Sequence, residues 1–111
     1  LDKTKEMKIS FNRRRLYAIE KINQINNISV CNPTGAFYLF VDVSEYCNGN
    51  YKGIKSSIDF CNWLLDKYFI AFVPGEVFGA PGYMRLSYAL SDDELSEGLE
   101  RLNKAVEELN G

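Results

Sequence analysis

Apolar residues recur along this chain with a helical period in some segments and as short continuous runs in others. In residues 2–26 they recur about every 3.6 residues, with Lys and Arg on the other face, which predicts an amphipathic helix. The residues expected on its buried face are Met7, Phe11, Ala18, Ile22 and Ile25. Residues 28–31 then predict a short strand, and the Asn-Pro-Thr-Gly sequence at 32–35 predicts a turn.

The middle of the chain predicts a strand followed by a helix. Residues 36–43 form a continuous apolar and aromatic run, which favours a central strand covered on both faces. Residues 44–55 are polar and predict a loop, after which Ser56 or Ser57 caps a helix that ends near Tyr68. The residues expected to be buried on this helix are Ile58, Cys61, Leu64, Leu65 and Tyr68.

The last third predicts two strands around a shaped loop and then a helix. Residues 69–73 and 83–90 are the strands, and the segment 74–82 between them is rich in Gly and Pro. Ser91 and Glu94 have the spacing of a capping box. The apolar stripe of the final helix is Leu95, Leu99, Leu102, Val106 and Leu109. This order of elements predicts an α+β fold, with a small mixed sheet of about three to four strands and helices packed on it.

Composition narrows the class of protein. A chain of 111 residues, 46% hydrophobic, is expected to form one domain over 1–111. The net charge of −2 argues against general binding to nucleic acid or membranes, and no apolar run is long enough to span a bilayer. The absence of His excludes Ser-His and Cys-His nucleophile systems. Cysteines without CxxC spacing favour a cytoplasmic protein with reduced thiols, and Leu1 suggests a piece of a longer chain.

Arg85 is the candidate binding residue. It lies in the middle of the predicted strand 83–90, with Tyr83 and Ser87 on its face. A buried guanidinium without a partner costs several kcal/mol, so Arg85 needs an anion. Its planar donor fork suits a carboxylate, which a ligand could supply. The residues alone leave two alternatives, an internal ion pair with Asp42 and an edge position open to water.

Other candidate features favour structural roles. The aromatic run 36–40 is similar to an RNA-binding strand, but it has no flanking Lys or Arg, which favours an aromatic core. Cys31, Cys47 and Cys61 are expected to be unreactive thiols because no base is available to activate them.

The motifs together resemble the C-terminal small domain of class I/II (fold-type I) aminotransferases, in particular the bacterial aspartate aminotransferase type. The matching motifs are Phe11-x-x-Arg14-Arg15, Pro33-x-Gly35-Ala36-Phe37-Tyr38, Val73-Pro74-Gly75-x-x-Phe78-Gly79 and Gly82-x-x-Arg85-Leu86-Ser87-Tyr88-Ala89. They occur in the family's order over nearly the whole chain. Leu16 departs from the pattern, because the family often has an acidic residue there.

The resemblance implies a function for the parent protein. Arg85 matches the arginine that binds the α-carboxylate of the substrate, and Phe37 matches an aromatic position near the substrate entrance. The full-length enzyme would use pyridoxal phosphate, act on amino acids and 2-oxo acids, and form a homodimer. The N-terminal segment and the large cofactor domain would be absent from this chain. Lys67 and Lys104 have the wrong context for the Schiff-base lysine, so the isolated chain is expected to hold no cofactor and to be inactive.

Two alternatives to transamination remain open. The parent could be a C–S lyase or a cyclopropane-forming synthase of the same fold family, since these enzymes share the carboxylate arginine. The chain could also be a stand-alone α+β module that binds a ligand or another protein. The upstream reading frame distinguishes these cases, because an enzyme requires a few hundred further residues that include a lysine after small residues.

Overall fold

The computed structural model of the chain describes residues 3–31, 38–87 and 91–111. The helices are α1 (Lys3–Asn23), α2 (Ser57–Tyr68) and α3 (Asp92–Leu109). The strands are β1 (Ser29–Cys31), β2 (Tyr38–Asp42), β3 (Val73–Pro74) and β4 (Tyr83–Ser87). Two short 3-10 helices, Ser44–Tyr46 and Gly75–Phe78, follow β2 and β3. The predicted α+β fold is confirmed.

The four strands form one sheet in the order β1-β2-β4-β3, and every neighbouring pair is antiparallel. The expectation of a mixed sheet is corrected in this respect. The helix α2 does connect two strands that run in the same direction, β2 and β3. However, β4 is inserted between them and is antiparallel to both, so no parallel neighbours occur in the described sheet.

Side chains of the sheet alternate between a buried face and an open face. Leu39, Val41, Met84 and Leu86 point into one core with buried residues of all three helices. On the opposite face, none of the described residues of β2 and β4 is fully buried. This open face consists of Tyr38, Phe40, Asp42, Tyr83, Arg85 and Ser87. The prediction of a strand covered on both faces is therefore wrong for this chain, since the helices cover one side only.

The helix α2 begins where the sequence predicted and buries a narrower stripe than expected. The side chain of Ser56 accepts a hydrogen bond from the backbone of Asp59, which confirms the predicted cap. Cys61 and Leu64 are buried as predicted, together with Phe60. Ile58 and Leu65 are 43% and 50% exposed, so their predicted burial is wrong. They are two helical turns apart and lie on the side of α2 that faces away from the core.

The segment after α2 is mostly not a strand. Phe69 adopts a left-handed conformation at the end of the helix, and its N–H donates to the carbonyl oxygens of Leu64 and Leu65. This helix ending places the Phe69 side chain in solvent, 76% exposed, and leaves only Val73–Pro74 paired in the sheet. The predicted strand 69–73 is therefore too long at its start.

The final helix agrees closely with the sequence pattern. The Ser91 hydroxyl accepts from the backbone of Glu94, and the Glu94 carboxylate accepts from the backbone of Ser91, which confirms the capping box. All five predicted apolar positions of α3 are buried. The predicted strand 83–90 is confirmed over Tyr83–Ser87, and residues 88–90 lie outside the described residues. The core contains Ala18 and Ile22 of α1, and also Ile25, which follows that helix. The side chains of residues 3–12 are not among those that the structure describes.

Candidate functional site

Arg85 lies at the centre of the open face. Its strand β4 is the third of the four, and Arg85 is opposite Phe40 of β2 on one side and Val73 of β3 on the other. Strand alternation places Met84 and Leu86 in the core and directs Arg85 to the opposite face. The alternative of an edge position is therefore excluded.

Two aromatic rings lie close to the guanidinium. The Cζ atom of Arg85 lies 4.3 Å from the ring centroid of Tyr38 and 5.8 Å from that of Phe78, distances at which a cation is attracted to an aromatic face. Phe78 in turn packs against Phe40, with ring centroids 5.3 Å apart and the rings edge to face. We call Arg85 with the rings of Tyr38, Phe40 and Phe78 the Arg85 site.

The guanidinium has a hydrogen-bonding donor without an acceptor. Its Nε is buried and has no hydrogen-bond partner, and no carboxylate of the described residues lies within ion-pair distance of it. The alternative of an ion pair with Asp42 is not realised. The Asp42 carboxylate instead accepts hydrogen bonds from the backbone and hydroxyl of Ser44, at 3.0 and 2.7 Å. A half-buried cation with an unmet donor is suited to an anion brought from outside these residues.

The loop beside Arg85 has a fixed shape that depends on glycine. At Gly75, an added Cβ would lie 1.8 Å from the carbonyl oxygen of Ala80, so no other residue fits there. That same Ala80 donates its N–H to the Gly75 carbonyl oxygen at 2.8 Å. Gly79 ends the 3-10 helix in a left-handed conformation. The predicted shaped loop therefore forms one wall of the Arg85 site and presents Phe78 to it.

The sequence identified part of the Arg85 site. Arg85 was named from its position in an apolar strand, and Phe37, the second predicted site residue, lies outside the described residues. The contributions of Tyr38 and Phe78 were missed. Alternation along β2 and β4 could have placed Tyr38 and Arg85 on one face, but the pairing of strands that are not consecutive in sequence is set by tertiary packing.

The other candidate groups agree with their structural interpretation. Burial raises the pKa of the Cys47 thiol to about 11 and that of Cys61 to about 12, so both stay protonated and unreactive near neutral pH. Lys67 forms an ion pair with Glu108, and Lys104 lies near Glu100. No group of His, Cys, Asp and Glu in the described part of the chain could hold a metal ion. None of the described helices is long and apolar enough to cross a membrane.

Comparison with known proteins identifies the relatives of this chain. Residues 1–102 match the family described as aminotransferase class I and II. A probable aspartate/prephenate aminotransferase of Aquifex aeolicus is 45% identical over 97% of this chain and 26% of its own length. The crystal structure of the aspartate aminotransferase from Rhizobium meliloti has a TM-score of 0.86 and 39% identity, covering 97% of this chain and 28% of that one. An aromatic aminotransferase from Pyrococcus horikoshii has a TM-score of 0.80 and 31% identity, over 94% and 26% of the two chains. The chain thus spans about a quarter of the length of these relatives.

Proposed function

The chain belongs to the class I and II aminotransferase family, and on this premise we propose that it is the small domain that binds the substrate carboxylate in a pyridoxal-phosphate-dependent aminotransferase. The remaining domains of that enzyme would then lie outside this chain, in keeping with the quarter of the relatives' length that it spans.

The Arg85 site is the observation that supports this role. An arginine with a buried Nε and no carboxylate partner among the described residues lies beside two aromatic rings on the open face of the sheet. A bidentate carboxylate supplies the acceptors that the guanidinium lacks, and the rings reduce competition from water. We infer that the α-carboxylate of the amino acid, or of the 2-oxo acid, is this ligand.

The proposed task of Arg85 is orientation. Holding the carboxylate in one place removes rotational freedom from the substrate before the reaction, which lowers the entropic part of the barrier. Carboxylate binding would also favour approach of this domain to the rest of the enzyme, which excludes water from the reacting groups. Phe37 is proposed to lie near the substrate entrance.

Pyridoxal phosphate is the cofactor of this family. The lysines Lys52, Lys67 and Lys104 lie near carboxylates of α3, and Arg85 is the one cation on the open face among the described residues of β2 and β4. We therefore propose that the cofactor is held entirely by the part of the enzyme outside this chain.

The role of Arg85 is tested by Arg85→Leu and Arg85→Lys in the full-length protein, obtained by extending the reading frame upstream. We expect Arg85→Leu to raise KM and to lower kcat/KM by roughly 150-fold, about 3 kcal/mol, because it removes one partner of a desolvated charge pair. The kcat/KM of Arg85→Lys should fall between that of the unaltered enzyme and that of Arg85→Leu, because lysine keeps the charge and loses the bidentate fork. Steady-state kinetics over a panel of amino acids, with a 2-oxo acid acceptor, measure both effects.

The matched control is Arg101→Leu. Arg101 lies on α3, where it forms an ion pair with Glu97 one turn away, so its loss should leave kcat/KM unchanged. Equal kinetics for Arg85→Leu and the unaltered enzyme would refute the carboxylate role. Absence of a longer reading frame would instead favour a stand-alone ligand-binding module.

The reaction class has its own test. An aminotransferase needs a 2-oxo acid acceptor and returns a new amino acid, whereas a C–S lyase or cyclopropane-forming synthase turns over without an acceptor. We propose transamination because the three relatives described above are named as aminotransferases. Product release that does not depend on the acceptor would assign the protein to the alternative.

We also propose that the full-length protein is a cytoplasmic homodimer. The thiols of Cys47 and Cys61 are free, which fits a reducing compartment. Light scattering of the purified enzyme measures the oligomeric state, and cell fractionation checks the location.

A further inference from the structure

We propose that Glu76 is a positioning residue that attaches the 3-10 helix Gly75–Phe78 to the start of α2 and thereby holds Phe78 in place beside Arg85. This inference rests on the proposed role of Arg85 in binding the substrate carboxylate.

The Glu76 carboxylate binds the backbone at the start of α2. Its Oε2 accepts hydrogen bonds from the N–H groups of Ser57 and Ile58, at 3.0 and 3.4 Å. These N–H groups belong to the first turn of a helix, where no intrahelical acceptor exists. The positive end of the helix dipole also favours a carboxylate at this position.

A second attachment joins the other end of the loop to the same helix turn. The Ser57 hydroxyl accepts a hydrogen bond from the N–H of Gly82 at 2.7 Å, and the Ser57 side chain is fully buried. Gly82 directly precedes β4, the strand that carries Arg85. The start of α2 therefore fixes the loop at two points, near its entry through Glu76 and at its exit through Ser57.

Few other side chains hold the 3-10 helix. Gly75 has no side chain, and Val77 is 72% exposed. Phe78 packs against Phe40, but Phe78 is the last residue of the short helix, so this contact holds only the end of that helix. Since Phe78 is two residues beyond Glu76, loss of the carboxylate attachment would let the helix shift and move the ring relative to Arg85.

Glu76 acts through position and not as a charge partner of Arg85. Its carboxylate lies near the Cys47 and Cys61 thiols, whose pKa values it helps to raise, and Cys61 is buried in the core. No ion pair between Glu76 and Arg85 is present among the described residues. The Oε1 of Glu76 is buried without a partner, a cost that the protein tolerates while Oε2 holds the helix turn.

The test compares Glu76→Ala, Glu76→Gln and Phe78→Leu in the full-length enzyme. We expect Glu76→Ala to raise KM for the amino acid, and the inhibition constant of propionate, by about tenfold, within the range that misplacement of about 1 Å produces. The kcat at saturating substrate should change much less. Glu76→Gln should restore nearly unaltered values, because the amide oxygen can accept from the same two N–H groups.

A double-mutant cycle separates positioning from stability. If Glu76 acts through Phe78, then Glu76→Ala should have no further effect on the propionate inhibition constant in a Phe78→Leu enzyme. A loss of stability alone would lower the active fraction, and with it kcat, while leaving KM and the inhibition constant unchanged. Thermal unfolding of each variant records that loss independently. If Glu76→Ala does not fold, Glu76→Asp takes its place, since the shorter side chain cannot reach both N–H groups.

The outcomes distinguish this inference from the proposed function. Unaltered inhibition by propionate in Glu76→Ala, or an equal effect of this substitution with and without Phe78, would overturn the positioning role. If Arg85→Leu nevertheless raises the inhibition constant of propionate, the carboxylate role of Arg85 stands. If Arg85→Leu has no effect on propionate, the proposed function itself fails.

Discussion

At the scale of single residues, the decisive features are polar atoms held in apolar surroundings. Arg85 retains a buried Nε without an acceptor beside the rings of Tyr38 and Phe78, whereas the hydroxyl of Tyr46 both donates and accepts a hydrogen bond. Unmet hydrogen-bonding capacity inside a protein is costly, and at Arg85 we propose that a ligand supplies the missing partner. Satisfied groups such as that of Tyr46 stabilise the fold.

Tyr46 provides a test of such a satisfied group. Its side chain is fully buried, and its hydroxyl donates to the carbonyl oxygen of Asn26 at 2.7 Å and accepts from the Asn110 amide at 2.8 Å. Tyr46→Phe keeps the ring packing and removes two hydrogen bonds, each worth about 0.5–1.5 kcal/mol, so we expect the free energy of unfolding to fall by about 1–3 kcal/mol. Urea unfolding of the chain measures this. Tyr17→Phe, which removes an exposed hydrogen bond to Ser96, should cost much less. An equal loss in both variants would refute the explanation.

At the scale of elements, one carboxylate ties the end of α3 to two other segments. Glu108 accepts hydrogen bonds from Lys67 and Tyr68 at the end of α2, and it pairs with Lys52 of the preceding loop at 3.2 Å. The hydrogen bonds from Lys67 and Tyr68 lower the pKa of Glu108 to about 2. The same contact raises the pKa of Tyr68 to about 12.

The lowered pKa of Glu108 predicts a dependence of stability on pH. A carboxyl whose folded-state pKa lies below its unfolded value of 4.5 contributes stability above pH 4.5 and loses it as the pH falls toward 2. Glu108→Gln should therefore flatten the decline of stability in that range, measured as the urea midpoint at a series of pH values. Part of the decline should remain, because Arg14 also lowers the pKa of Asp92. Glu100→Gln is the control, and an equally flattened profile for it would contradict the role of Glu108.

The elements also illustrate what the sequence could predict. Local signals were sufficient for α3, where Ser91 and Glu94 define the start and the apolar stripe defines the buried face. They failed at Ile58, because a helix packed at the margin of the core buries only part of its apolar stripe. A cation in an apolar strand was sufficient to identify Arg85 from the sequence. The contact of Phe78 with Arg85 depends on how the loop packs against α2, and no periodic pattern in the sequence predicts that packing.

At the scale of the whole molecule, the sheet presents one face that none of the three α-helices covers. The core lies between the other face and the three helices, while the open face carries Arg85 and its rings. Because the chain spans about a quarter of the length of its relatives, we propose that the rest of the parent enzyme covers this open face.

This arrangement predicts that cofactor binding and transamination require the parts of the parent enzyme that lie outside this chain. The chain alone, mixed with pyridoxal phosphate and passed through a desalting column, should retain no cofactor and should not transaminate, whereas the full-length enzyme should do both. Absorbance of the eluted protein measures retention. Retention of one cofactor per isolated chain would contradict the proposal that the cofactor site lies elsewhere.

The pairing of β2 with β4 also has a consequence for folding during synthesis of the chain. The ladder joins residue 40 to residue 85, and α2 and β3 lie between them in sequence. Closing so long a loop costs entropy before the contacts compensate it, and the ribosome releases β2 well before β4. Until β4 arrives, one edge of β2 has no partner within the sheet, and an unpaired apolar edge invites pairing with other chains. We therefore expect nascent or truncated chains that end before residue 83 to aggregate. Once β4 is complete, it pairs with β2 and the tendency to aggregate should disappear.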